Sequence, residues 1–535
     1  MKLPSKILVL GLIVGLSTGC TSFIGSNKNE TPEPVEVDRP ETVGDATRPH
    51  GLGVASVESV GLVTGVPGTG SDPPPSQQRQ MLLEEMKRRE VENPNQLLAS
   101  ESTALVLVRA KLPPGVRKGD RINVEVRVPN RSKTKSLEGG WLMETKLREV
   151  AVLEQSLRSG HVRGVVEGPI LIQALTGESS DKIANLRGIV LGGGFATKSR
   201  PIGLKLRGEH HSVSMSKMIG DAINRRFDTY IRGKRQGAAT PQTDKFIALE
   251  IHPRYRHNLI RFLRVIEQIP LRESQLGQIE RLNTLEADLL VPATSSLAAI
   301  RLEAIGSEAT STLLSGLESG SAEVRFYAAE ALAYLDHADA ANVLAASTKE
   351  SAFRSRALNA LGAMSSVEAH DALSQLLHVP SAETRYGAFR ALQQMNPRDP
   401  LLGQDALGQR VAFHEIASPN EPMIHVSRTE RPEIVVFGNE QTLTTPLMIL
   451  VGKSIIVKDD GRQRIRVTRY SPGKQDQSKT CSATVNELVR TLIELETTYP
   501  DIVTVLQKAK SQGSLDGRVV FDAIAEAGRT YSRSN

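Results

Sequence analysis

The residues best placed by type and spacing to do chemistry are a glycine-rich run, a glycine triplet and four histidines. Gly61 to Gly70, GLVTGVPGTG, invites comparison with a phosphate cradle. Such a loop needs backbone amides at the mouth of a helix and then a lysine and a hydroxyl residue, as in GxxxxGK[ST], so that side chains reach phosphate and metal. Gly70 is followed instead by Ser71, Asp72 and Pro73 to Pro75. A carboxylate repels phosphate and proline has no amide to donate. The stretch therefore reads as a structural turn whose glycines permit positive φ. Gly192 to Gly194 lacks both GxGxxG spacing and a following acidic residue, so it gives no dinucleotide site. His210 and His211 are adjacent, a poor arrangement for one metal, and His252 and His257 have no carboxylate or cysteine at a ligand spacing such as HExxH. No GxSxG nucleophile turn occurs. The expectation is a protein that is not an enzyme, with no catalytic, cofactor-binding or metal-binding residues.

The start of the chain sets the compartment. Lys2 and Lys6 precede an apolar run from Ile7 to Leu16, followed by Ser17, Thr18, Gly19 and Cys20. A basic front, a short apolar core and small residues at its end make residues 1–20 a secretory signal, since a spanning helix needs about 20 apolar residues. LSTGC resembles a bacterial lipobox, which implies acylation of Cys20 and a lipid anchor in the membrane; plain signal cleavage is the alternative. Cys20 and Cys481 are the only cysteines, so a lipid on the first leaves no intramolecular disulfide. Residues 21–50, rich in Pro, Glu, Asp and Thr, are expected to be a disordered tether.

The rest has chain enough for two or three cores: 535 residues, 39% apolar. A net charge of +6, with both signs interspersed, and a 4% aromatic share argue against nucleic-acid binding.

The first folded block is expected over 51–275. Ser76 to Val91 reads as a helix with Met81, Leu82 and Met86 on one side, and Thr103 to Ala110 as a buried strand. Ile122 to Val128 alternates as a half-buried strand. Helices are predicted over 214–227 and 255–269 and a strand over 246–251, with the methionines of the first helix in the core.

Residues 283–400 form a repeat. EVRFYAAEALAYL from Glu323, FRSRALNALGAM from Phe353 and ETRYGAFRALQQM from Glu383 align, with Arg325, Arg354 and Arg385 in equivalent places; SLAAIRLEAIG at 296–306 is a fainter copy. The texture resembles short HEAT-like repeats, stacked helix pairs that bury a continuous core. Partner binding, a rigid spacer and a lateral contact between subunits are the alternative uses.

Over 430–525, Glu433 to Phe437, Ser454 to Val457 and Ile465 to Thr468 read as strands, the last two joined across KDDG. Thr484 and Glu487 read as a capping box opening a helix, and Pro500 and Asp501 begin another that ends at Gly513.

Taken in order, VESVGLVTGVPGTG, a helix, ALVLVRAKLPPGVRKGDRINVEV and SLEGGWLMETKL resemble the bacterial flagellar P-ring protein family. VVEGPILIQALTG and GIVLGGGFATKSRPIGLKLR continue the resemblance, and TVNELVRTLIELETTYPDIVTVLQKAKSQGSL is similar to the family's closing segment. The fold implied is α+β: a mixed sheet and helix body that forms rings, built from 51–275 and 430–525, with an all-α HEAT-like solenoid inserted. The resemblance implies a structural subunit of a homo-oligomeric periplasmic ring around the distal flagellar rod, a bushing beside the outer-membrane ring in the basal body, serving motility. The alternative is a lipid-anchored envelope scaffold that binds a partner through its solenoid. An insertion of this kind implies that the body would stay folded without residues 283–400.

Overall fold

The computed structural model describes residues 39–525 apart from 154–155, 177–181, 232, 406–410, 430, 453, 472 and 474. The expected signal segment, Cys20 and most of the expected tether lie outside the described residues.

Folded chain begins earlier than the composition suggests. α1 (Val43–Ala46) and strand β1 (Thr47–His50) occupy the end of the stretch read as tether. Val43 and Ala46 are fully buried, and the Val43 amide donates to the Ile269 carbonyl at 2.9 Å. Thr42 and Asp45 form a capping box. So few apolar residues suffice here because backbone pairing to a distant strand does the rest.

A barrel follows. β2 (Ala55–Thr64), β3 (Thr103–Leu112), β4 (Arg121–Arg127), β5 (Trp141–Leu153), β6 (Ser156–Pro169), β7 (Leu171–Ile172) and β8 (Arg187–Ala196) form one sheet in the order β4-β3-β2-β5-β6-β8-β7, and β4 also pairs with β8. That extra pairing closes six strands into a ring and removes their edges. Ile122, Val124 and Val126, the alternating set of β4, meet Val57, Val106, Leu142 and Val166 in its core. α2 (Gln77–Arg88) and α3 (Pro94–Leu98) cover another face through Leu82, Met86 and Leu98. Met81, expected on the buried side, is 45% exposed.

The glycine run splits between two roles. Gly61 lies inside β2, where a Cβ would sit 2.9 Å from Leu142 and Thr145. Gly65 and Gly68 have φ of +81° and +78° in the turn after it. A Cβ on Gly70 would come within 2.2 Å of the Thr103 carbonyl oxygen. Gly70→Ala is expected to cost about 1–3 kcal/mol, the usual range for overpacking, read as a lower urea midpoint at unchanged slope.

A second sheet, β1-β9-β13-β12, uses β9 (Ile202–Leu206), β12 (Ala239–Pro241) and β13 (Phe246–Leu249), beside the hairpin β10 (Asp228–Ile231) and β11 (Lys234–Gly237). α4 (Val213–Arg226) and α5 (Leu259–Glu267) pack on it through Ile219, Ile223, Phe262 and Ile266. The helix expected over 255–269 is shorter, because Pro253–Tyr255 forms a 3-10 turn and Asn258 caps α5. On α4, Ile219 and Ile223 are buried while Met215 is only partly so.

The repeat region is four helix pairs: α6 (Gln275–Leu290) with α7 (Pro292–Ile305), α8 (Thr310–Leu317) with α9 (Ala322–Tyr334), α10 (Ala340–Ser347) with α11 (Ser351–Leu361), and α12 (Val367–Leu376) with α13 (Ala382–Met395). Ala331, Leu332, Ala360, Leu361, Ala391 and Leu392, which recur in sequence, are all buried. The recurring arginines bond six residues back: Arg325 to the Ser319 carbonyl, Arg354 to that of Thr348 and Arg385 to that of Val379. Each guanidinium fastens the turn that enters its helix, satisfying a carbonyl the helix cannot reach.

After the solenoid come β14 (Gln404–Asp405), β15 (Ala412–Ile416), β16 (Met423–Val426), β17 (Glu433–Phe437), the meander β18 (Met448–Val451), β19 (Ile455–Gly461), β20 (Arg464–Arg469) and β21 (Gln477–Ser482), then α14 (Val485–Glu494), α15 (Tyr499–Ser511) and β22 (Arg518–Phe521). They make a five-stranded sheet, β14-β15-β17-β16-β22, and a four-stranded one, β18-β19-β20-β21. The β19–β20 turn sits later than KDDG, at Arg462 and Gln463, which take φ of 53° and 57°. Thr484 does cap α14, but its side chain makes no capping bond and Glu487 pairs with Arg490 instead. Leu171 and Leu191 of the first block share a core with this region.

Candidate functional site

The sequence-derived candidates do not converge. Gly192 takes φ +57° in β8, and a Cβ on Gly193 or Gly194 would meet Val190 or Ile122 at 2.5 and 2.6 Å, so the triplet permits close strand approach. His210 lies 3.6 Å from Glu41. The His211 ring nitrogen is 3.1 Å from the Leu206 carbonyl. His252 sits among Phe227 and Tyr255 and accepts from the Arg254 amide. Among the described residues no three His, Cys, Asp or Glu side chains are grouped to hold a metal, and no helix is long and apolar enough to cross a membrane.

What the sequence periods do not reveal is a set of buried polar groups where the solenoid meets the body. Arg261 on α5 reaches Glu303 on α7 at 2.5 Å and Glu330 on α9 at 2.6 Å, and Arg356 on α11 also pairs with Glu330. The Tyr255 hydroxyl donates to Glu303 at 2.6 Å, and Tyr255 stacks on Tyr334. Arg261, Glu303 and Glu330 are at most 5% exposed. Burial works against the charge on the Arg261 guanidinium, and the two carboxylates overcome it and hold the group charged. A glutamate at a core position of an alanine-rich repeat, as in SLAAIRLEAIG, is the available signal.

The other end of the solenoid is joined in the same way. The Tyr386 hydroxyl on α13 donates to Glu433 at 3.0 Å, Arg385 donates to the Glu421 carbonyl, and Phe389 meets the His414 ring edge-on. His425 stacks on Tyr386 with centroids 3.5 Å apart, and its Nε2 accepts from the Ala523 amide. Burial first, then the charges of Arg390 and Arg428, push His425 down to about 3. The unfolded chain takes up that proton near 6.5 and so binds more protons than the folded one below that pH. Stability is therefore expected to fall as pH drops from about 6.5 towards 3, by up to about 1.4 kcal/mol per unit. His414 is shifted the same way, by burial. His425→Gln keeps an acceptor for Ala523 and is expected to flatten the decline in urea midpoint between these limits; an unaltered decline would place the loss elsewhere.

Between these two joints lies a groove of two adjoining hollows, about 260 and 310 Å³, that share His257, Asn359 and Gln394. Arg254, Arg256 and Arg390 line it, and no Asp or Glu does among the described residues. Burial and the charges of Arg390 and Arg256 push the His257 imidazole down, a sign of positive potential there. The Ser365 hydroxyl bonds to Asp336, but that carboxylate is also paired with Arg254. No histidine stands between them among the described residues, so these bonds do not form a serine–histidine–carboxylate relay.

Two stretches of the chain match known families. Residues 43–279 match the flagellar P-ring protein family, and residues 310–393 match HEAT repeats. The P-ring match begins at Val43, the first residue of α1. The flagellar P-ring protein of Photorhabdus laumondii is 28% identical over 246 residues, 43% of this chain and 61% of the relative. That of Thermotoga maritima is 28% identical over 227 residues, 40% and 61%. That of Desulfotalea psychrophila is 24% identical over 276 residues, 49% and 65%. The chain thus spans about 61% of the length of the first two relatives. The family match ends at residue 279, so the likeness of the C-terminal segment rests on its residues alone.

Proposed function

We propose that this chain is a structural subunit of a periplasmic ring around the flagellar rod, a bushing within which the rod turns. The observation that carries the reading is the P-ring match over 43–279, which covers the closed barrel and the second sheet as one continuous region. A closed barrel suits a bearing element because it offers no free sheet edge along those strands. The work needs subunit contacts that close by rotation rather than a reaction. Residues 404–525 complete the ring-forming body, through the core they share with Leu171 and Leu191. A lipid on Cys20 would tie each subunit to the outer membrane and distinguish it from a freely periplasmic ring.

Isolated basal bodies labelled with an antibody to this chain test the reading. A labelled ring at the distal rod is the expected image; basal bodies with an unlabelled ring there would sink it. Cys20→Ser is expected to shift newly made, unassembled chain out of the membrane fraction, and unchanged fractionation would refute the anchor.

A further inference from the structure

We propose that the solenoid forms the contact between neighbouring copies: the outer stripe of α6 on one protomer seats in the cationic groove of the next. The inference rests on the ring reading and deepens it by naming the two complementary surfaces.

The first surface is α6, which is apolar on both sides. Leu285 and Leu289 are buried against the solenoid. On the adjoining outward face Leu276 is 74%, Ile279 55% and Leu290 46% exposed. Residues at offsets of 3 and 14 share a helix face at about 3.6 residues per turn; Leu276 and Ile279 stand at the start of that face and Leu290 at its end, with Asn283 and Ala287 exposed between them. Glu280 and Glu286, both exposed, flank it. An end helix of a solenoid in water normally turns a polar face outwards; this one shows leucine and isoleucine bordered by carboxylates.

The second surface is the groove already described, which carries Arg254, Arg256 and Arg390 and has no carboxylate among its described lining residues. Arg254 is paired with Asp336 at 2.8 Å and Arg390 lies over the Tyr386 ring, so the exposed Arg256 gives the groove its clearest positive charge. The apolar part of the lining, including Leu358, Met364, Met395 and Ile524, gives leucine and isoleucine side chains somewhere to go. An acidic-edged apolar helix and a basic-edged apolar groove are complementary in charge and in character. Because they are different patches of one chain, pairing them leaves an assembly with one free helix and one free groove at its ends. That is a heterologous contact, which continues until the rotation closes. A second copy is therefore the occupant that the charges favour.

The test uses purified full-length chain in sedimentation velocity at low ionic strength, with thermal melts to confirm that each variant is folded. The wild type is expected to assemble beyond the dimer. E280K/E286K, which spoils the helix, and Arg256→Gln, which spoils the groove, are each expected to weaken self-association by about tenfold or more, the scale of one lost charge pair at an interface. Mixed together, these two variants should give a species that stops at the dimer, since one supplies an intact groove and the other an intact helix. L276S/I279S is expected to weaken assembly while keeping the wild type's loss of affinity with added salt, which the charge variants should no longer show. A monomeric wild type, assembly of either charge variant at wild-type strength, or a mixture that stays monomeric would overturn the contact. Basal bodies from cells carrying the charge variants separate this from the ring reading: normal labelled rings would leave the ring and remove the α6 contact. Basal bodies with an unlabelled ring, beside the stated sedimentation results, would do the reverse.

Discussion

A chain lacking residues 283–400 is expected to accumulate as aggregate rather than as a folded body. The sequence alone points the other way, because a repeat inserted between two halves of a body suggests a module that can be lifted out. The structure ties the module in at both ends. One continuous core runs from Ile202, Leu204 and Leu206 of β9 through Phe262 and Ile266 of α5, along the alanine-rich helices, to Met423, Val435 and Phe437 of the last five-stranded sheet. Removing the helices would strip α5 of its cover and take Tyr386 off His425 and Glu433. Each large apolar side chain so uncovered loses about 1.5–3 kcal/mol, and several at once exceed the roughly 5–15 kcal/mol that holds an ordinary domain together. The check is the fraction of the shortened chain that stays in solution and its thermal melt. A shortened chain that stays in solution and melts cooperatively would show that the two halves have a sufficient core of their own.

Arg261→Met is expected to cost about 3–5 kcal/mol at neutral pH, the usual loss when one partner of a buried charge group is removed. Methionine keeps most of the arginine stem's packing, so little of the loss is apolar. The loss comes from Glu303 and Glu330, which are left in the interior without the guanidinium that spanned them. Glu330 keeps Arg356, whereas Glu303 keeps only neutral Tyr255 among the bonds described above. Burial already raises the Glu303 carboxyl above the usual range, and without Arg261 the folded chain holds that proton more tightly still. The variant should therefore recover stability as pH falls into the ordinary carboxylate range, and lose it as pH rises from there through the raised folded value. Urea unfolding midpoints across pH measure this. Adding Glu303→Gln to Arg261→Met should return part of the loss, and the double-mutant cycle gives the coupling. A loss below about 1 kcal/mol, the range of an exposed ion pair, would show that solvent reaches the site.

Much of the architecture is legible in the sequence because it is written in periods. The alternation of β4 and the Ala-Leu recurrence of α9, α11 and α13 follow from side chains facing a core at regular intervals. Features that depend on distant partners are not legible. Residues 42–50 look unfoldable because their stability comes from Ile269, Pro270 and β9. The recurring arginines are visible as a pattern, but their bond to the carbonyl six residues back belongs to the turn, not to the helix period. Arg261 falls at the edge of an apolar face in sequence, and only the arrival of α7 and α9 puts it inside. The groove is hidden for the same reason, since it joins residues near 255 to others near 390.

The pairing of α1 and β1 with the far end of their block has a consequence for synthesis. A chain is made from its N-terminus, and β1 has no partner until β9 emerges about 160 residues later, by the register that pairs Thr47 with Leu206. The amide of Val43 waits longer still, for Ile269. Arg261 then waits for Glu330, and β16 for β22 near the end of the chain. Each of these closures comes late, although the barrel of β2 to β8 is complete by Ala196. Such a chain is expected to complete its assembly in steps ordered by emergence, with its unpaired strands exposed until their partners are made.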